Sequence, residues 1–140
     1  MNDLLRRLAA SRFLRFAVVG GAGFFVNEAA LLLAKHFLGA GDHVAWFIAF
    51  APAVTFTWWG NRKLTFADKA SSGHRGMLAE WARFVATNAL GAAANFAVYA
   101  LLIAYAPAPL NIAYIALAIG ILAGLVFNFT LSKRLVFRGT

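Results

Sequence analysis

Glu28 stands directly after Asn27 in a long apolar stretch, and Asn88, Asn95 and Asn128 lie in surroundings just as apolar. A carboxyl group near the centre of a bilayer is costly, so a glutamate there is by default a functional hypothesis. The alternative is a neutral structural carboxyl, because burial favours the uncharged form. The asparagine amides offer donors and acceptors suited to hydroxyl groups, or to bonding between packed helices. A second set is cationic: Arg15, Arg62, Lys63, Arg83, Lys133 and Arg134. Such a set suits a phosphate, which arginine grips bidentately. It also suits topology setting and unselective contact with lipid phosphates. Other chemistries find little support. The chain has no cysteine, and His36, His43 and His74 are scattered without ligand spacing, so neither a metal nor a cofactor is expected. No acid pair, histidine cluster or nucleophile with a base is available, so no enzyme is expected.

The elements that must position these groups follow from composition. Of 140 residues, 62% are apolar and 13% charged, with a mean hydropathy of +0.73. Soluble domains carry about 25% charged residues, which excludes an ordinary water-soluble fold. Crossing a bilayer core takes roughly 20 helical residues. Four apolar runs approach that length, at residues 16–34, 44–60, 84–106 and 110–131. The second is short, with Pro52 at its centre predicting a kink. The first is too long for a signal peptide, contains Glu28 and leads into further spans, so it reads as retained. The expected fold is an all-α integral membrane protein with four transmembrane helices in two hairpins. Its parts are a basic N-terminal arm (1–15), a first hairpin (16–60), a basic connection (61–83), a second hairpin (84–131) and a basic tail (132–140).

Charge orients this arrangement. Twelve of the 13 basic residues precede the first span, join the second to the third or follow the fourth, and only Lys35 lies opposite. The positive-inside rule makes the basic side cytoplasmic, with both termini on it. Trp58, Trp59 and Trp81 fall near the inner boundary, and Trp46, Tyr105 and Tyr114 near the outer one. Met77, Leu78, Trp81, Phe84 and Val85 share one helical arc, predicting an interfacial approach to the third span. In the N-terminal arm Arg12 interrupts the arc of Leu4, Leu5 and Leu8. Lys35 reaches the outer interface rather than pairing with Glu28.

The chain also repeats. Arg15-Phe16 matches Arg83-Phe84 at an offset of 68, bringing Gly23 onto Gly91 and Asn27 onto Asn95. The second and fourth spans match at an offset of 71, where the segment from Asn61 to Phe66 overlies that from Ser132 to Phe137. Because each half has an even number of spans, the two hairpins are parallel-related, about an axis along the membrane normal. Gly20, Gly23 and Asn27 correspond to Asn88, Gly91 and Asn95, while Ala49, Ala53 and Thr57 correspond to Gly120, Gly124 and Asn128. Each set lies on one helical face where backbones can approach. At helical rise Asn27 and Asn95 come about 18 Å from the inner boundary, near the midplane, with Asn88 and Asn128 in the inner leaflet. The equivalent positions of the cations predict that all six converge on one cytoplasmic mouth.

The Arg-Phe starts of the first and third spans, the segment Asn61-Arg62-Lys63-Leu64-Thr65-Phe66 and the end Lys133-Arg134-Leu135-Val136-Phe137 together resemble the GtrA-like family, over nearly the whole chain. The family's asparagine-arginine-x-x-x-phenylalanine signature falls on Asn61, Arg62 and Phe66. Leu64 stands where an aromatic is frequent, and the second copy has Ser132 and Lys133 in place of asparagine and arginine. The resemblance implies a small four-span bacterial inner-membrane protein of cell-surface polysaccharide synthesis that flips a polyprenyl-phosphate-linked monosaccharide, with a membrane glycosyltransferase as partner. Some members are instead thought to anchor such an enzyme. On this reading Arg15, Arg62, Lys63, Arg83, Lys133 and Arg134 take the phosphate, and Asn27, Glu28, Asn88, Asn95 and Asn128 form the sugar path. Four short spans scarcely enclose a sugar, so a homodimer within membrane lipid is expected, without nucleic acid. A small proton-coupled multidrug exporter, also four-span with a glutamate in the first span, is the weaker alternative, because such proteins often have little charge bias.

Overall fold

The computed structural model describes residues 10–139, and among them every regular element is helical. There are four main helices: α1 (Arg12–Leu38), α2 (Asp42–Gly60), α3 (Gly73–Tyr105) and α4 (Ala113–Leu131). Leu4, Leu5, Leu8 and the first two arginines of the N-terminal arm lie outside the described residues. The chain divides into two compact units, the second spanning His74–Arg138 and the first built on α1, α2 and the turns that follow.

Local chemistry sets the ends of the helices. Ser11 caps α1, its side chain accepting from the Leu14 N–H at 3.4 Å. The helix stops at Gly39, whose φ of 60° is left-handed and whose N–H closes onto the Ala34 carbonyl. Glycine suits this cap because a side chain there would be strained. Lys35, in the last turn of α1, donates to Asp42 at the start of α2 at 2.6 Å. The cation and the acid each sit at the helix end whose dipole favours it. Lys35 is therefore paired across the turn, and not with Glu28.

In the first unit α1 and α2 run antiparallel. Phe16 near the start of α1 meets Phe66 just beyond α2, with ring centroids 6.3 Å apart. Deeper in, a Cβ on Gly60 would lie 2.7 Å from Val19, and one on Gly23 would collide with Oγ1 of Thr57. The buried face of α2 is a stripe of Ala45, Ala49 and Ala53 with Val54 and Trp58. This bears out the small-residue face on α2, and on α1 it selects Gly23. Gly20 belongs to no close contact, since a Cβ there would meet nothing within 4 Å. Pro52 lies inside α2 without ending it.

The second unit repeats the plan. Phe84 meets Phe137 with ring centroids 6.2 Å apart, and a Cβ on Gly91 would collide with the Asn128 amide. A Cβ on Gly124 would come 3.0 Å from the Gly91 carbonyl oxygen, and one on Gly120 2.8 Å from that of Asn95. Here the expected faces, Gly91 and Asn95 against Gly120, Gly124 and Asn128, do pack together.

Three helices are long and apolar enough to cross a membrane, Arg12–Leu38, Gly73–Tyr105 and Ala113–Val136. The expected second span is not among them. The reason is compositional: Asp42, His43, two threonines, three tryptophans and Pro52 dilute the apolar content of the 19 residues of α2. The segment 61–83, expected as a basic connection, is largely helical. It comprises a helical turn, a 3-10 turn (Ala67–Lys69) and the first part of α3, which is continuous through the Met77 to Val85 arc. At 33 residues α3 exceeds the roughly 30 Å needed for a crossing by several turns. Large apolar side chains such as Phe24, Phe25, Phe47, Phe96, Leu101 and Leu122 face outward, an apolar surface suited to lipid rather than water.

Candidate functional site

Each hairpin ends in the same unusual turn. Beyond α2 the helix widens into a π-helical turn, Asn61–Thr65, in which the Phe66 N–H reaches the Asn61 carbonyl at 2.8 Å. Beyond α4 the turn Ser132–Val136 does the same, the Phe137 N–H reaching the Ser132 carbonyl at 2.9 Å. Single π turns often mark functional positions. Both bring a basic pair to the end of the hairpin where the helix partner begins, beside Arg15 in one unit and Arg83 in the other.

The interiors of the two turns differ. In the first, Thr57 Oγ1 donates to the Ala53 carbonyl at 2.7 Å, Asn61 Nδ2 to the Thr57 carbonyl at 3.0 Å, and Thr65 Oγ1 to Asn61 Oδ1 at 2.8 Å. Asn61 is wholly buried and its amide is used at both ends. In the second, the equivalent residues are Asn128, Ser132 and Val136. Val136 has no hydroxyl to donate, and both Asn128 Oδ1 and Ser132 Oγ are buried without a hydrogen-bond partner. Each such atom costs about 1–3 kcal/mol.

The cations divide by environment. Lys63, Lys133 and Arg134 are exposed, with the Lys63 ammonium 4.9 Å from the Trp59 ring centroid. Arg62 is half-buried, donates to the Ser71 carbonyl at 2.6 Å and lies 5.9 Å from the Trp58 ring centroid. It therefore braces the segment after the π turn as well as contributing charge. Arg15 and Arg83 are half-buried, and Nε of each is buried without a hydrogen-bond partner. Arg12 and Asp68 form an ion pair at 2.7 Å, and the Arg12 hydrogen bond holds the Asp68 carboxyl below its usual range.

Of the polar residues within the spans, Asn27 and Glu28 are half-buried on α1, one turn beyond Gly23. Asn88 donates to the Phe84 carbonyl of its own helix at 2.9 Å. Asn95 packs against Gly120 and Gly124, and Asn128 against Gly91. The structure thus brings Asn95 and Asn128 together along one interface, with Arg83, Lys133 and Arg134 at its end.

The model of the family described as GtrA/DPMS, transmembrane domain, matches residues 15–137. The chain belongs to this family. No curated protein matches it. The GtrA/DPMS match begins at Arg15 and ends at Phe137, so it encloses both π turns and both aromatic contacts. Membership makes this a membrane protein linked to the handling of polyprenyl-phosphate sugars.

Two residues escaped the sequence reading. Glu80 is 0% exposed and is the one fully buried ionisable side chain among the described residues. It lies in the segment read as a polar connection, and only its spacing of three from Arg83 on a helix hinted otherwise. Ser132 departs from the motif as the sequence shows, but the departure does not foretell that its hydroxyl is buried without a partner.

Proposed function

We propose that this protein moves a polyprenyl-phosphate-linked monosaccharide from the cytoplasmic to the outer leaflet of a bacterial inner membrane. The observation that supports this best is the recurrence, at the end of each hairpin, of a π turn presenting cations beside a half-buried arginine. A phosphate at the membrane surface is what such a group of cations attracts, and the prenyl tail stays in lipid. In this reading the exposed Lys63, Lys133 and Arg134 capture the phosphate, and the half-buried Arg15, Arg62 and Arg83 assist. Asn27, Glu28, Asn88, Asn95 and Asn128 supply hydrogen bonds to sugar hydroxyls that would otherwise enter the hydrocarbon bare.

In this reading all four helices cross the membrane as two parallel-related hairpins, with both termini cytoplasmic. The protein works as a homodimer beside a glycosyltransferase that makes the lipid-linked sugar, and needs no covalent chemistry or cofactor of its own.

Reconstitution tests it. Purified protein in liposomes is expected to accelerate transfer of a polyprenyl-phosphate hexose between leaflets, and substituting Lys133 and Arg134 by glutamine to slow it with the protein still folded. Failure to accelerate transfer, together with support of a partner glycosyltransferase, would replace transport by anchoring.

A further inference from the structure

Building on that reading, we propose that, of the two equivalent ladder positions, only that of the second hairpin binds the headgroup, a phosphoester of a polyol, through the Ser132 hydroxyl and the Asn128 amide oxygen beneath Arg83 Nε. The equivalent ladder of the first hairpin, Thr57, Asn61 and Thr65, is by contrast structural.

The inference starts from equivalent positions. Thr57, Asn61 and Thr65 in the first hairpin correspond to Asn128, Ser132 and Val136 in the second. The first set forms a closed ladder of side-chain hydrogen bonds. The second leaves Asn128 Oδ1 and Ser132 Oγ buried and unpartnered, with Ser132 0% exposed. Buried polar atoms are almost always paired, so two in adjacent turns of one hairpin point to a partner from outside the chain. Nε of Arg15 shares the unpartnered state of Arg83 Nε. The arginine by itself therefore does not separate the hairpins; the pair beneath it does.

The chemistry of the three atoms limits the ligand. Arg83 Nε only donates, so its partner must bring an acceptor oxygen. An amide oxygen only accepts, so the partner of Asn128 must bring an O–H or N–H, while the Ser132 hydroxyl serves either need. Their order is set by the packing. The contact between Phe84 and Phe137 marks the end of the hairpin beside Arg83, that between Gly91 and Asn128 lies about two turns deeper, and Ser132 falls between. A ligand with an anionic acceptor at the surface end and hydroxyl donors beneath fits this column. Inorganic phosphate lacks the hydroxyl array, and a neutral sugar lacks the charge. Reaching the column requires α3 and α4 to part beside Gly91, where the side chain packed on the glycine is that of Asn128 itself.

The test uses the full chain in nanodiscs with three probes: a short-chain prenyl-phosphoryl hexose, the same prenyl phosphate without sugar, and a hexose phosphate without prenyl. Ser132→Ala and Asn128→Thr are each expected to weaken binding of the first probe roughly tenfold, the loss of about one hydrogen bond. They should leave prenyl phosphate binding unchanged and Tm unchanged or raised, since each removes an unsatisfied atom. Thr65→Val, in the first hairpin, should lower Tm and leave binding unchanged. Equal binding of hexose phosphate would support the site and make a soluble sugar phosphate its ligand. Unchanged affinity in Ser132→Ala and Asn128→Thr, or losses that track a fall in Tm, would overturn the inference. Absence of binding by the unmodified protein to any probe would instead overturn the proposed function itself.

Discussion

The two hairpins share a frame and differ in what fills it. Both are clasped by an edge-on phenylalanine pair, 6.3 and 6.2 Å between centroids, and both close with a π turn whose long hydrogen bond is 2.8 or 2.9 Å. Between clasp and turn, the first hairpin packs alanines and Gly23 under a satisfied Thr57-Asn61-Thr65 ladder. The second packs three glycines around two asparagines and leaves its ladder unmade. A frame that forms in both cases does not depend on the ladder. The polar residues of the second hairpin are thus free of the structural duty that their counterparts perform.

Given that contrast, the two hairpins answer differently to the same kind of substitution. The largest effect is expected at Gly120. A Cβ there would come 2.8 Å from the backbone oxygen of Asn95, which no side-chain rotation relieves. Gly120→Ala should therefore destabilise the protein by about 1–3 kcal/mol, the usual cost of overpacking. Denaturant unfolding in detergent measures it, and an unchanged midpoint would mean that α3 and α4 are not held in close contact.

Next is the ladder. Asn61→Ala removes the bond to the Thr57 carbonyl and strands the buried Thr65 hydroxyl, for an expected loss of about 1–2 kcal/mol. Its counterpart Ser132→Ala removes an atom with no partner and should cost little. Equal losses in the two variants would erase the distinction between the hairpins. A smaller effect of opposite sign is expected at Gly20. With open space around its Cβ position, Gly20→Ala should stabilise α1 by about 0.5–1 kcal/mol through backbone entropy alone.

Much of this was legible in the sequence. The offsets of 68 and 71 placed Phe16 and Phe66 as equivalents of Phe84 and Phe137, and the small-residue faces of α3 and α4 met as their spacing predicts. Physical reasons account for the rest. Gly20 and Gly23 are both small, and which one meets a neighbour depends on how α1 is rotated against α2, which periodicity alone does not decide. The π turns have no local signature, because the i to i−5 bond depends on Phe66 and Phe137 being drawn into buried positions. The sequence marks Arg62 as a cation of the motif, but not that its guanidinium also donates to the Ser71 carbonyl, nine residues on. Glu80 was placed in a polar connection because charge signalled solvent, whereas α3 runs back to Gly73 and carries it into a buried position.

The smallest expected effect concerns a clasp that only the first unit has. Arg12 binds Asp68, while the repeat places Glu80 at the position of Arg12 and Gly139 at that of Asp68, so no such pair can form at the equivalent position. The Arg12 hydrogen bond lowers the Asp68 pKa, so the folded state holds the carboxylate more tightly than the unfolded chain does. The sign follows from linkage: the contribution is present above the ordinary aspartate range, near 4, and is lost as pH falls through the depressed value. Both side chains are substantially exposed, at 35% and 55%, so solvent and salt screen the pair and the effect stays small. Comparing acid unfolding of the unmodified protein and Asp68→Asn measures it. The variant should lose a shallow acid-dependent component and show less salt dependence. Identical acid profiles would mean that the ion pair contributes nothing, leaving the ladder as the feature that distinguishes the first hairpin.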